Sequence, residues 1–321
     1  MPAAYVVLSH TEPEQVTRLV RAILRSSPAA SVFVTHDARR HPAPVIDDER
    51  VNVRTHGRPT DWGSWELVQV TLEAMAAARA AVDPDLVVLV SGQCYPVRPL
   101  AAWEDELLAA GGWQGTARAL AYTPAWGSRQ GRGDDELTRY TYRWFRAGVL
   151  DRVLRGGGLP GRVAWGVAHR TEPVLSLRHV ERGRGAYVGV RRRRPVPGFE
   201  VHLGSQWLAA DRPLLDLVLR ELAPGAPLRR VYESSVIADE SALQTVLARH
   251  GPPSVALPVS YSVWVPEDDT TRTFAIEDLD ELTASGSPFC RKVDPERSAT
   301  LLEALDQHVD DVSRRDGRPQ R

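Results

Sequence analysis

Residues 85–92, DLVVLVSG, place five apolar side chains in a row before a Ser-Gly end. The run is short for a helix and has no polar face. It therefore predicts a strand covered on both sides, as in parallel sheets with helices packed on each face. Two more apolar runs precede it, AYVVLS at 4–9 and SVFVTHD at 31–37, and VNVRTH at 51–56 is a third candidate strand. Between them, Val16, Leu19, Val20, Ile23 and Leu24 recur at helical spacing within EPEQVTRLVRAILRS, and a second helical period begins at Trp65. This alternation predicts an α/β fold of Rossmann type, a mostly parallel sheet flanked by helices. Ligands of such sheets bind outside the carboxyl ends of the strands. The polar groups expected there are His10, His36 with Asp37, and SGQCYP at 91–96.

Composition excludes more than it identifies. A formal charge of −1 over 321 residues gives no reason to expect a nucleic-acid partner. Arg191 to Arg194, beside Pro195 and Pro197, read as a solvated turn. No window reaches the roughly 18 consecutive apolar residues of a membrane span. The start, MPAAYVVLSHTEPEQ, lacks the basic and apolar regions of a secretory leader. Cys94 and Cys290 lie far apart without metal-ligand spacing, so a reducing, cytoplasmic setting is expected. Arginine in place of lysine, with abundant alanine, suggests a G+C-rich genome, and a bacterial source is expected.

The middle of the chain changes character. Gly- and Arg-rich stretches at 123–136, 154–162 and 190–198 read as long connections, which in compact domains are usually lids or disordered. Order is expected to resume at HLGSQWLAADRPLLDLVLREL as a turn and a helix, followed by a helix over 239–250. The organisation expected is one domain over 1–300, with halves at about 1–120 and 121–300. A C-terminal helix and tail over 301–321 would follow, the last 15 residues fraying.

Only one of the 40 Lys and Arg residues is a lysine, Lys292 in PFCRKVD at 288–294. Lysine is a compact point charge and arginine a wide planar fork, so a cramped anion site would accept the first and reject the second. Read in order, DLVVLVSGQCYPVRPL, GSQWLAADR at 204–212, ADESALQTVL at 238–247 and FAIEDLDELTASGSPFCRKVD at 274–294 form a longer pattern. It resembles the core-2/I-branching β-1,6-N-acetylglucosaminyltransferase family (glycosyltransferase family 14), which also includes peptide O-xylosyltransferases. That family reads LSG-x-D-[YF]-P, GS-x-[WYF]-F, PDE-x-x-x-x-T, an arginine and then FA-x-KFD. The order holds from Tyr5 to Asp294.

The resemblance implies a GT-A-like fold and an inverting, metal-independent transfer of a sugar, GlcNAc first among them, from a UDP-sugar to an acceptor hydroxyl. It makes Glu240 the general base, and places Arg272 and Lys292 on the donor diphosphate. It puts His10, Asp37 and Trp62 beside the nucleoside, and Arg139, Gln206, Trp207 and Trp264 beside the acceptor. Cys94 stands where the family has aspartate, and its role is left open among a sugar contact, donor preference and packing. No metal or other cofactor is implied, and the acceptor expected is a small molecule or glycan. Taken alone, Asp239 and Glu240 also read as first-turn acids favoured by a helix dipole. The acidic pairs Asp83/Asp85 and Asp278/Asp280 read as a segment before a strand and a helix cap. Two other readings stand beside the first: a sugar- or nucleotide-binding protein without turnover, and a metal-dependent nucleotide-sugar transferase.

Overall fold

The first strand, β1 (Ala3–Ser9), is buried along its whole length, and so is β4 (Leu86–Ser91). Alternate side chains of β1 enter two different cores. Ala3, Tyr5 and Val7 pack with Leu19 and Ile23 of helix α1 (Pro13–Ser26), with Trp103 and Leu107 of α3 (Leu100–Ala110), and with Leu301 and Leu305. Ala4, Val6 and Leu8 pack on the other face with Leu72 and Met75 of α2 (Trp65–Val82), and with Leu215, Leu243 and Val246. A strand apolar at every position is what this three-layer arrangement requires. The structure, a computed structural model, describes residues 2–10, 12–120, 136–155, 158–171, 174–180, 185–192, 200–268 and 270–316.

The fold is mixed α/β, with a mostly parallel central sheet flanked by helices. Among the described residues the sheet has six strands, ordered β3 (Val51–His56), β2 (Ser31–Asp37), β1, β4, then Ala209–Asp211 and Trp113–Gln114. The first four are mutually parallel. Ala209–Asp211 runs antiparallel to β4 and to Trp113–Gln114. The order 3-2-1-4 places the topological switch point between β1 and β4, and ligands collect at the carboxyl ends there. A smaller sheet joins β5 (Cys94–Pro96) to Phe289–Arg291 and Ser260–Tyr261, which brings the Lys292 segment to the end of β4.

Several sequence expectations are corrected. The segment before helix Arg212–Glu221 contains the short strand Ala209–Asp211 as well as a turn. The helix expected over 239–250 is shorter, Ala242–Ala248, and Asp239 and Glu240 lie in the turn before it. The fraying expected of the C-terminal residues is not seen as far as they are described: helix Ala299–Asp316 runs through 306–316, where Asp306 pairs with Arg25 and Arg18, and Val309 is buried. Of the long connections, 121–135, 156–157, 193–199 and the tail 317–321 lie outside the described residues. Among the described residues no helix is long and apolar enough to cross a membrane.

Candidate functional site

A cavity of about 310 Å³ opens at the carboxyl ends of the parallel strands. Leu8, Ser9 and His10 line it from β1, Thr35 and Asp37 from β2, His56 from β3, and Ser91 and Gln93 from β4 and its turn. Trp62 closes one side, Gln206 and Trp207 another, and Arg291 with Lys292 a third. Of the expected nucleoside residues, His10, Asp37 and Trp62 thus share one cavity.

Asp37 is buried at 3% exposure, and its carboxylate is already engaged. It accepts from Arg39 Nη2 at 2.6 Å, from the Arg39 amide at 3.1 Å and from Thr60 Oγ1 at 2.9 Å. Burial alone would raise its pKa, but these donors outweigh it and hold the group down to about 2. Asp37 therefore stays ionised and fixes Arg39 at the cavity wall. Burial is also the leading effect on His10, and with Arg40 and Arg291 nearby its pKa is lowered, favouring the neutral ring. His36 turns away from the cavity, fully buried, with Nε2 2.9 Å from the His41 carbonyl.

Glu240 and Arg139 are not among the residues that line this cavity; two glycines hold the Glu240 turn against the GSQW segment and the Trp62 loop, which do. At Gly204, of the GSQW motif, a Cβ would lie 1.7 Å from the Thr116 carbonyl oxygen, and the Gly204 amide donates to the Glu240 carbonyl at 2.9 Å. Gly63 has φ +75°, and its carbonyl accepts from the Ile237 amide at 2.9 Å. A side chain at either position would push the Trp62 loop or the GSQW segment away from Glu240. Thr245, the threonine of the ADESALQT motif, does structural work. Its hydroxyl accepts from Tyr232 at 2.7 Å and from the His202 amide at 3.0 Å, tying helix Ala242–Ala248 to the strand before GSQW.

Glu240 itself is half-buried, with Arg139 Nη1 3.3 Å from its Oε2, and the Trp62 indole N–H also donates to it. Burial raises its pKa, and Arg139 and Trp62 only partly offset this. The adjacent Asp239 is 2% exposed, and its carboxyl is pushed up to about 7, by burial first and then by the Glu240 charge. Neither residue caps the helix; the N-cap is Ser241, which makes no side-chain cap bond. The two acids are therefore not first-turn residues, as both precede the N-cap.

A stability test follows from Asp239. In the unfolded chain its carboxyl titrates near the ordinary value of about 4. In the folded chain it keeps its proton to about pH 7. Between those values the folded state binds more protons, so stability falls as pH rises. Thermal melts from pH 5 to pH 8 should show wild type losing Tm across this interval, and Asp239→Asn losing less. Parallel losses in the two proteins would show that Asp239 carries no such penalty.

The cations depart from expectation in one respect. Lys292 lines the cavity, its Nζ donating to Thr270 Oγ1 at 3.0 Å. Arg272, expected beside it, is not among the lining residues. Its guanidinium pairs with Glu281 at 2.6 Å and Asp278 at 3.3 Å and stacks on Phe274, two carboxylates drawing it outward. The backbones still meet, with the Lys292 amide donating to the Arg272 carbonyl at 3.2 Å. Arg291 occupies the cavity wall instead, its guanidinium 5.4 Å from the centre of the Trp207 ring. Sequence reading missed Arg291; its adjacency to Lys292 was the available signal.

Trp264 is half exposed and is not among the lining residues. It pairs with Thr271 in a short hairpin whose other residue, Thr270, holds the Lys292 amine. Cys94 is fully buried and packs beneath the cavity floor. Its Sγ accepts from the Ser91 amide at 3.3 Å and lies 3.2 Å from Ser260 Oγ, leaving Gln93 to face the cavity. Asp83 and Asp85 sit before β4, at the opposite end of the sheet, paired with Arg79 and Arg212. Asp278 stands at the helix start, as expected; its carboxylate makes no bond into helix Leu279–Ala284 but accepts from the Ala275 amide at 2.8 Å, capping the short turn before that helix, and pairs with Arg272. Among the described residues no three His, Cys, Asp or Glu side chains cluster to hold a metal.

No family model matches the chain, and no curated protein does. Among solved structures, the bifunctional glycosyltransferase WbbM aligns over 98% of this chain and 51% of its own, at 9% identity and TM-score 0.38. Residues 1–349 of Staphylococcus aureus TarS align over 44% of this chain and 45% of their own, at 12% identity and TM-score 0.24. A Bacillus anthracis protein described as a glucose-1-phosphate thymidylyltransferase aligns over 70% and 77%, at 7% identity and TM-score 0.29. This chain therefore spans about half of WbbM and less than half of the TarS fragment. Superpositions this loose carry no argument about function.

Proposed function

We propose that the chain is an inverting, metal-independent glycosyltransferase of GT-A-like fold, similar to the core-2/I-branching family. It would move a sugar, GlcNAc in the first instance, from a UDP-sugar to an acceptor hydroxyl. The observation that carries the reading is the position of Glu240. A half-buried carboxylate of raised pKa bonds to Trp62, a wall residue of a cavity whose other side presents Lys292 and Arg291.

The chemistry follows from that layout. The Glu240 carboxylate takes the proton of the acceptor hydroxyl, whose oxygen attacks the anomeric carbon from the side opposite the diphosphate. The bond from that carbon to the diphosphate oxygen breaks, its electron pair leaving with UDP. An α-linked donor thereby gives a β-linked product. Charge grows on the leaving diphosphate as the bond breaks, and fixed cations stabilise that change. Arg139 orients Glu240 and restrains its pKa from rising further. Gln206 and Trp207 border the space left for the sugars.

Metal independence is supported by where the acids lie. Asp83 and Asp85 are at the wrong end of the sheet, the two acids that do line the cavity, Asp37 and Asp61, are paired with Arg39, and Lys292 and Arg291 stand at its wall. UDP should bind by calorimetry with EDTA in excess, and UDP release from UDP-GlcNAc should persist there across an acceptor panel. Activity lost in EDTA and restored by Mn²⁺ would favour the metal-dependent reading instead. UDP binding without transfer to any acceptor, and without donor hydrolysis, would favour a binding protein.

A further inference from the structure

A second cavity, of about 330 Å³, adjoins the first. The two share His10, Arg40 and Gln93 as walls. The second continues between the start of α1 and the segment after Phe289–Arg291, where Val293 and Pro295 line it. Gln15, in the first turn of α1, also lines it. Its side chain is only 2% exposed, yet both Nε2 and Oε1 lack a hydrogen-bond partner. A buried carboxamide with neither its donor nor its acceptor satisfied is costly, and such groups are rarely left so without a ligand or an ordered water.

We infer that this second cavity takes the base of the donor nucleotide, with Gln15 pairing to its imide edge. This rests on the nucleotide-sugar reading above. The carboxamide presents one acceptor beside one donor in a plane. The imide edge of uracil presents the complement, with N3–H donating to Oε1 and a ring carbonyl accepting from Nε2. The order of groups along the donor agrees. Trp62 touches Glu240, so the sugar and acceptor lie at that end of the first cavity. Lys292 and Arg291 follow for the phosphates. The base, at the far end of the donor from the reacting carbon, then reaches past His10 and Gln93 to Gln15. Size agrees as well: each cavity alone sits at the small end of the ~300–1,000 Å³ range of ligand sites, and a nucleotide-sugar is a large ligand. Trp62 and Asp37, expected beside the nucleoside, are then left to the sugar end and to the wall.

The test compares UDP with inorganic pyrophosphate by calorimetry, on wild type and Gln15→Leu. The variant should bind UDP about tenfold or more weakly, the scale of losing a buried hydrogen-bonded pair, and bind pyrophosphate as wild type does. Retained pyrophosphate binding also reports that the variant is folded. UDP methylated at N3, tested on wild type, needs no variant and should bind weakly by a similar factor. The inference is overturned if Gln15→Leu binds UDP as tightly as wild type. It is equally overturned if the N3-methylated nucleotide matches UDP, in which case Gln15 meets water only. Those results leave the nucleotide-sugar reading standing as long as wild type binds UDP and Lys292→Ala weakens it. Wild type binding no nucleoside diphosphate would remove both.

Discussion

Glu240→Gln should lower turnover by roughly a hundredfold or more, the scale of losing a general base, while UDP binds as it does to wild type. The substitution keeps size and hydrogen-bonding capacity but removes the group that takes the acceptor proton. Its neighbours make the expected phenotype specific. Trp62 donates to this carboxylate and Arg139 Nη1 lies 3.3 Å away, so the amide can keep the indole bond and leave the cavity wall in place. The backbone bond from Gly204 to the Glu240 carbonyl is untouched. The wild-type acid limb should also lie above the ordinary carboxylate range, because burial raises the pKa of Glu240 and the Asp239 carboxyl beside it is pushed up to about 7. Adjacent acids titrate together, so that limb belongs to the pair. Steady-state kinetics across pH and calorimetry on both proteins test this. A variant with near-wild-type turnover would make another residue the base.

Lys292→Ala should cost the most on the donor side, and Lys292→Arg should also be damaging although charge is kept. The diphosphate gains charge as the glycosidic bond breaks, so a cation there favours the transition state over the bound donor. The Lys292 amine is held by Thr270 Oγ1 at 3.0 Å, under the hairpin that carries Trp264. A planar guanidinium needs a wider seat than an ammonium. Turnover should therefore fall more than UDP-sugar affinity. Arg291→Ala should weaken UDP binding more than Arg272→Ala, because the Arg272 charge is already taken by Glu281 and Asp278. Kinetics with calorimetric UDP titration decide among these. If Lys292→Arg equals wild type in both, the single lysine reflects composition alone. If Arg272→Ala is the more damaging variant, the guanidinium turns inward when donor binds.

How much was legible follows from where each signal resides. Strands β1, β2 and β4 and helices α1 and α2 were readable because burial on both faces, or on one helical stripe, leaves a local pattern of apolar residues, whereas β3, an edge strand with no buried residue, showed only as VNVRTH alternation. The carboxyl-end position of His10, Asp37 and Gln93 followed from that pattern, since alternating strands and helices in a parallel sheet leave one end open. The lone lysine was visible as composition, and the GSQW and ADESALQT motifs as order along the chain. What the tertiary structure decided were pairings between distant segments. Strand Ala209–Asp211 is too short to leave a period, and its antiparallel place beside β4 depends on partners far off in sequence. The direction of a long side chain is likewise set by whichever charge it meets, which is why Arg272 turned to Glu281 while Arg291 took the wall. Cys94 went to packing because β5 pairs with the Arg291 strand and seats the thiol over Ser260. Gln15 looked like an ordinary polar residue in a first helical turn; only the fold buries its side chain and brings the sequence-distant 293–296 segment to the same cavity.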